Sequence, residues 1–145
     1  DCTLESMIYA DANELTSGDR GTIIQSHIYM SWNKSNQRLS SYWYSTDNQG
    51  YHEPSQTLNR NQWYHLTTVW DFDAGQLKQY IDGVLVNTVT TRVVGGPGYI
   101  GGLNIGMESE SRQFSGAIAI ANIYKKALSS AEVLRNYEYY SKRIR

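Results

Sequence analysis

Glu108 and Glu110 are the acidic pair whose spacing suits acid–base chemistry. In an extended segment both carboxylates would lie on the same side of the chain, because successive side chains alternate. Retaining glycoside hydrolysis needs two carboxyl groups about 5 Å apart, one as nucleophile and one as acid/base. The pair follows Gly106, however, in a polar segment that predicts a loop. This position favours a solvated acidic loop, and we predict that the protein is not an enzyme.

The histidines, the serines, the cysteine and the glycine-rich segments do not have the spacing that catalysis or metal binding requires. His27 and His52 have no partners at metal-ligand spacing, and no Ser-His-Asp arrangement can be assembled. The glycine-rich segment 95–98 contains proline and precedes no predicted helix, unlike a phosphate-binding loop. A single cysteine, Cys2, excludes an internal disulfide. We therefore predict no cofactor; calcium is the alternative, bound by hard loop oxygens of Asp47, Asn48, Glu108 and Glu110.

Aromatic residues offer more favourable chemistry. The chain contains twelve Tyr and four Trp but only two Phe, and amphipathic rings in such excess suit sheet surfaces that meet other molecules. A sugar-binding site would stack a sugar face on Trp or Tyr and use polar side chains for the hydroxyls. For each ring alone, a place in the core or on a half-buried sheet surface is the other interpretation. As a cluster, the predicted glycan-binding residues are Arg38, Tyr42, Trp43, Tyr44, Asn48 and Tyr51.

The bulk composition limits the partners. With 145 residues and a net charge of −1, the chain is predicted to form a single domain, residues 1–145, without a general attraction for nucleic acid. No apolar run reaches membrane-spanning length. A basic C-terminal stretch, residues 135–145, is interpreted as a solvated end or docking contact. Asn33-Lys34-Ser35 matches the N-glycosylation motif, which has meaning only in a eukaryotic secreted chain.

Alternating apolar residues predict antiparallel strands through most of the chain. The clearest are 63–71 and the strand that turns back at Asp82-Gly83, where a type I′ turn needs positive φ at both central positions. Segment 114–124 is predicted to be a strand in the interior of a sandwich. The polar segments predicted as loops are 11–19, 33–37, 46–61 and 107–113. The remaining predicted strands are 3–9, 22–32 (one strand or two), 38–45, 84–90 and 103–106.

One helix is predicted near the C-terminus. Ser129 and Glu132 have the spacing of a capping box, in which the serine accepts from a backbone N–H and the glutamate reaches back. Val133, Leu134 and Tyr137 recur at helical spacing, and the helix should end near residue 140. Many short strands, glycine-rich turns and one late helix favour an all-β, two-sheet antiparallel sandwich.

Five short motifs, in this order and spacing, resemble the concanavalin-A-like, laminin-G-like jelly-roll domains. They are Trp63-x-His65, Tyr80-Ile81-Asp82-Gly83, Leu103-x-Ile105-Gly106, Phe114-x-Gly116-x-Ile118, and residues 123–129 with Glu132 downstream. The resemblance implies a jelly roll with one short C-terminal helix and a buried, structural His65. It also implies that segment 3–9 is the family's second strand, with Met7 where a Trp is usual. The family's first strand has no counterpart upstream of Asp1, and we expect preceding residues or another chain to cover that edge.

The resemblance also carries the functional hypotheses. Residues 127–137, followed by Lys142-Arg143, are similar to the ends of such domains in tailed-phage virion proteins. The leading hypothesis is a non-enzymatic structural or decoration module on a virion surface, binding glycans for host attachment and oligomeric within its assembly. Its partners would be other virion proteins or the rest of a longer chain. The alternative is an extracellular, lectin-like carbohydrate-binding domain of a larger adhesin or enzyme. A degenerate glycanase is less favoured, because the alternating Glu, Asp, Glu strand of the glucanase relatives has no equivalent.

Overall fold

Two antiparallel five-stranded sheets form the described part of the protein. The computed structural model describes residues 1–11, 18–26, 28–43, 50–90 and 102–144. The strands are β1 Cys2–Ala10, β2 Arg20–Gln25, β3 Tyr29–Asn33, β4 Arg38–Trp43, β5 Gly50–His52, β6 Trp63–Asp71, β7 Gln76–Ile81, β8 Val84–Thr90, β9 Asn104–Ile105 and β10 Gly116–Tyr124. The back sheet has the order β10-β1-β6-β7-β8, and the front sheet has the order β5-β4-β3-β2-β9. The predicted all-β sandwich is confirmed.

The central hairpins form as the sequence predicts. β6 pairs with β7, which turns back into β8 through Asp82 and Gly83. Both turn residues have positive φ, 51° and 78°, which suits the type I′ geometry favoured by the right-handed twist of the strands. Gly75, also at positive φ, lies in the turn between β6 and β7. These turns fix the register of β6, β7 and β8 within the back sheet.

Three strand predictions need correction or refinement. Residues 22–32 form two strands, β2 and β3. The predicted loop 46–61 contains β5, a three-residue edge strand that is too short to show a periodic pattern. Within predicted segment 114–124, residues 116–124 form β10, which among the described strands lies at the edge of the back sheet. Its apolar residues Ile118 and Ile123 pack against the core from this edge position. A further strand beside this edge stays a prediction.

The core fills the space between the two sheets. Trp32 and Trp70, which come from opposite sheets, are 1% and 0% exposed there. Leu4, Ile24 and Leu66 are among the other residues of this cluster. Removal of this apolar surface from water is the main favourable term in folding, roughly 25 cal/mol per Å².

A helix, α1 (Ser130–Ser141), packs on the outer face of the back sheet. Val133 is fully buried there with Val69, Tyr80 and Leu128. The predicted capping box is present: Glu132 N–H donates to Ser129 Oγ, and Ser129 N–H donates to Glu132 Oε2 at 2.9 Å. Among the described helices, none has the length and apolar character to cross a membrane. Within the described ranges no α-helix packs on the outer face of the front sheet.

Candidate functional site

Three tyrosines lie side by side on the outer face of the front sheet. Tyr29, Tyr42 and Tyr51 occupy directly paired positions on β3, β4 and β5. Their ring centroids are 5.5 Å and 4.8 Å apart, and successive rings meet edge to face. All three are half-buried. Neighbours such as Met30 point into the core instead, because side chains alternate between the two faces of a sheet. We call these three residues the tyrosine row.

Arg20 lies across the front sheet and fixes one end of the tyrosine row. Its guanidinium carbon is 3.8 Å from the centroid of the Tyr51 ring, within cation–π distance. Nε donates to Ser40 Oγ at 3.2 Å, and the terminal nitrogens contact the carboxylates of Asp19 and Glu53. With three partners and only 16% of its side chain exposed, Arg20 holds the Tyr51 ring in place.

Glu53 forms a polar rim beside the row. Its Oε1 accepts from Asn33 Nδ2 at 2.7 Å, and its Oε2 accepts from Asn36 Nδ2 at 2.7 Å. Burial alone would raise the pKa of Glu53, but hydrogen bonds from Asn33, Asn36 and Ser40, with the charge of Arg20, lower it below its usual value. The carboxylate is therefore ionised and rigidly held at neutral pH.

The Asn33 amide is committed to this rim and to its own turn. Asn33 is 6% exposed, and its Oδ1 accepts from the backbone N–H and the hydroxyl of Ser35. An N-linked sugar on Nδ2 would displace the bond to Glu53. In the folded chain the Asn33-Lys34-Ser35 motif is thus a structural turn.

An ion pair is present in the segment that packs against β2 of the front sheet. Arg112 Nη1 donates to Glu108 Oε2 at 2.8 Å, and the two side chains are 38% and 23% exposed. Burial raises the pKa of Tyr51, and the positive charges of Arg112 and Arg20 oppose that rise. Gly18, at φ 114°, lies against the carbonyl oxygen of Ser111, which any Cβ at this position would overlap. This close approach brings the 3₁₀ turn Glu110–Arg112 against β2.

The structure brings some of the predicted site residues together. Tyr42 and Tyr51 are in contact, and Arg38 lies on the same face of β4, four residues before Tyr42. Of Trp43 the structure describes the backbone, which pairs with Gly50. Tyr44 and Asn48 lie outside the described residues. Sequence reasoning missed Tyr29, the third member of the row, and Arg20 and Glu53 at its end.

The acidic pair has no catalytic arrangement. Glu108 is bound to Arg112, and Glu110 is exposed in the 3₁₀ turn. A solvated acidic loop is thus what the structure contains. Within the described ranges no three His, Cys, Asp or Glu side chains are grouped to bind a metal. Two of the calcium candidates, Asp47 and Asn48, lie outside those ranges.

A second polar cluster is buried beneath helix α1. Glu5 and His65 have fully inaccessible side chains, and His65 Nε2 lies 3.1 Å from Glu5 Oε1. Glu5 also accepts hydrogen bonds from Tyr124, Asn122 and Asn136. Burial alone would raise the pKa of Glu5, but these bonds hold it at about 2. Since no substrate can reach this carboxylate, the cluster is structural, as predicted for His65.

The sequence matches a family of proteins whose name agrees with the observed sandwich fold. Residues 1–134 match the sequence profile of the concanavalin A-like lectin/glucanases superfamily. The chain belongs to this superfamily. A comparison with curated protein sequences gave no match. The superfamily is thus shown by a match over nearly the whole chain, in agreement with the laminin-G-like resemblance of its motifs.

Solved structures share the fold at low sequence identity. The Ruminococcus gnavus IT-sialidase CBM40 bound to α2,3-sialyllactose has a TM-score of 0.75 and 13% identity, covering 94% of this chain and 82% of that one. A Bacteroides ovatus protein provisionally assigned as carbohydrate binding has a TM-score of 0.73 and 16% identity over 92% of this chain. Trypanosoma rangeli sialidase has a TM-score of 0.69 and 17% identity over 97% of this chain. This chain spans 40% of the length of the B. ovatus protein and 23% of the sialidase.

Proposed function

We propose that the chain is a non-catalytic, extracellular carbohydrate-binding domain, one domain over residues 1–145, that presents the tyrosine row to a sugar. The observation that carries the proposal is the register of Tyr29, Tyr42 and Tyr51 on three adjacent strands. The superfamily includes lectins, and two of the structures with this fold are described as carbohydrate-binding. Both facts support a sugar as the ligand class.

The chemistry of the row suits a sugar ring. The C–H face of a pyranose is apolar and packs on an aromatic ring, while its hydroxyls need donors and acceptors at the edges. The Arg112–Glu108 pair, which belongs to the segment packed against β2, supplies a donor and an acceptor at the front sheet. Because Arg20 and Glu53 are already held by several bonds, little side-chain freedom is lost on binding, and preorganisation of this kind favours affinity.

Titration calorimetry with cello-, malto-, xylo- and chito-oligosaccharides tests the proposal. We expect at least one series to bind, and Tyr42→Ala to weaken that binding about tenfold or more, equivalent to ~1.4 kcal/mol or more. Tyr139→Ala is the matched control, because Tyr139 is 50% exposed on helix α1, away from the row. Equal melting temperatures for the two variants would show that Tyr42→Ala is folded. Unchanged affinity in a folded Tyr42→Ala variant would contradict the proposal.

The remaining predictions from the sequence concern further glycan-binding residues, the virion role and the oligomeric state, and each has its own test. Tyr44→Ala and Asn48→Ala test the rest of the predicted glycan surface with the same oligosaccharides. The virion role and the oligomeric state stay predictions. Constitutive assembly with a capsid or tail protein, without dependence on sugar, would support the virion role instead of the lectin-like one. Sugar release from polysaccharide that requires Glu108 or Glu110 would contradict the non-catalytic assignment.

A further inference from the structure

We propose a second sugar-binding platform on the opposite side of the sandwich, formed by Tyr9 and Trp63. The two residues are directly paired on β1 and β6. Their ring centroids are 5.6 Å apart with the planes tilted by 53°. Both are half-buried. This site shares no residue with the tyrosine row, and its ligand class is a pyranose with an unsubstituted C–H face.

The platform lies on the outer face of the back sheet, beyond the contacts of helix α1. Along β6, His65 and Trp63 point to the same face, because side chains alternate. His65 is covered by Tyr137 and Tyr140 of the helix, with ring centroids 5.9 Å and 6.1 Å away. Trp63 is two residues further along, about 7 Å at the rise of a strand. Its side chain is half-buried, whereas that of His65 is fully inaccessible.

Tyr9 and Trp63 do not contribute to the core. The buried clusters include their neighbours Ile8 and Tyr64, which point inwards, but not these two rings. β10 presents the small, exposed Ala117 opposite Tyr9. A methyl group there covers little of the flank of the Tyr9 ring. Single aromatic residues at a surface are ordinary, but a half-buried Tyr and Trp in contact offer one continuous ring surface on which a sugar can pack.

The adjoining loop, residues 59–62, supplies polar groups in fixed positions. Asn61 N–H donates to Ala10 O at 2.8 Å, with Asn61 at φ 59°. Asn59 N–H donates to the Tyr64 hydroxyl at 2.9 Å. Arg60 Nη1 donates to Asp11 O at 3.3 Å. These bonds anchor the loop beside the rings, and the exposed side-chain amide of Gln62 can donate to and accept from sugar hydroxyls.

Two platforms on opposite outer faces would make the domain bivalent. Each could engage a different glycan strand, so that one molecule bridges two strands on a polysaccharide-coated surface. On such a surface the second contact forms at high effective concentration, which raises avidity without any new contact. Weak affinity at each platform would then still give firm attachment.

Stoichiometry measured by calorimetry on the full chain tests this inference. With an oligosaccharide from the cello-, malto-, xylo- or chito- series, the wild-type protein should bind two ligands per chain. Trp63→Ala and Tyr9→Ala should each reduce this to one, retained at the tyrosine row, and Tyr42→Ala should leave the one at Trp63. Because Trp63→Ala could disturb the sheet, Trp63→Phe, which keeps part of the stacking surface, should bind two ligands with weaker affinity at one site.

The outcomes separate this inference from the proposed function. One ligand per chain that is abolished by Tyr42→Ala and unaffected by the Tyr9 and Trp63 variants would overturn the second platform and leave the tyrosine row intact. One ligand that depends on Trp63 and not on Tyr42 would support the second platform and contradict the row. Binding of no oligosaccharide in any series would overturn both.

Discussion

His65 Nε2 lies 3.1 Å from Glu5 Oε1, between neighbouring strands, and neither side chain is accessible to solvent. A carboxylate removed from water is strongly destabilising unless donors replace its hydration. Glu5 receives these donors from three further residues, one of which, Asn136, belongs to helix α1 at 3.0 Å. The buried charge therefore ties β1, β6, β10 and the helix together. It explains why a polar cluster is found beneath an otherwise apolar helix contact.

Glu5→Gln should destabilise the fold by about 2–4 kcal/mol at neutral pH. The amide keeps one acceptor oxygen and gains two donors, so it cannot accept from all the groups that now donate to Glu5. Leaving those donors buried and unpaired is the main penalty. Urea unfolding monitored by circular dichroism measures the effect. Glu138→Gln, at an exposed helix position, is the control and should change the stability by less than ~0.5 kcal/mol.

The same carboxylate predicts an acid dependence of stability. The pKa of Glu5 falls from 4.5 to about 2 in the folded chain. A lowered pKa stabilises the fold above the unfolded value, and this contribution disappears as pH falls from about 4.5 through about 2. The loss should be on the order of 3 kcal/mol. Glu5→Gln should lack this part of the acid dependence; parallel curves for the two proteins would show that Glu5 is not the group responsible.

Gly83→Ala should destabilise the β7–β8 hairpin by about 1–3 kcal/mol. Gly83 has φ 78°, which alanine adopts only with strain. An added Cβ would also lie 3.0 Å from Leu134 Cδ1 and 3.1 Å from Tyr137 Cδ1 of the helix. Thermal unfolding measures the change. Gly102→Ala, where a Cβ would meet nothing within 4 Å, is the matched control, and an equal shift in both variants would contradict the argument.

Ser129→Ala should lower the stability by about 1 kcal/mol through loss of the helix cap. The variant removes Ser129 Oγ, the acceptor for Glu132 N–H. Of the two reciprocal backbone bonds of the capping box, only the one from the backbone N–H of residue 129 to Glu132 Oε2 is kept. Because α1 carries Asn136 to Glu5, amide exchange should accelerate across the helix and beneath it. Ser55→Ala, in an exposed loop, is the control. Unchanged amide hydrogen-exchange rates in α1 would contradict this prediction, because they would show that tertiary contacts hold the first turn of the helix without the cap.

The hairpins and the helix were predictable because their signals are local. Asp82-Gly83 between alternating residues specifies the turn, and Ser129 with Glu132 specifies the helix start. The edge position of β10 was not predictable, because its apolar alternation is the same whether or not a further strand pairs with it. The partner of His65 was equally hidden: Glu5 is sixty positions away, and only the β1–β6 register joins them.

The site was half predictable for a related reason. Tyr42 and Tyr51 are close in sequence and stand out by composition. Tyr29 lies beside them only because the β3–β4 register pairs it with Tyr42, and this register cannot be predicted from the sequence. Arg20 reaches Tyr51 across the front sheet over small serine side chains. One feature of the sequence could have indicated Tyr29. In the predicted strand that precedes Tyr42, its alternating position places its side chain on the face opposite to that of Met30.

Asn33→Asp should destabilise the rim of the tyrosine row by about 2 kcal/mol at neutral pH. The change replaces a 2.7 Å donor to Glu53 Oε1 with a second carboxylate, and two like charges at that distance raise the pKa of one of them. A raised pKa means that protonation favours the folded state, so the deficit relative to the wild type should shrink as the pH falls towards about 4. Asn59→Asp, on an exposed side chain, makes the same chemical change at a solvated position. Urea unfolding at pH 7 and pH 4 should therefore separate the variants, and a deficit that grows in acid would contradict the proposed contact between the two carboxylates.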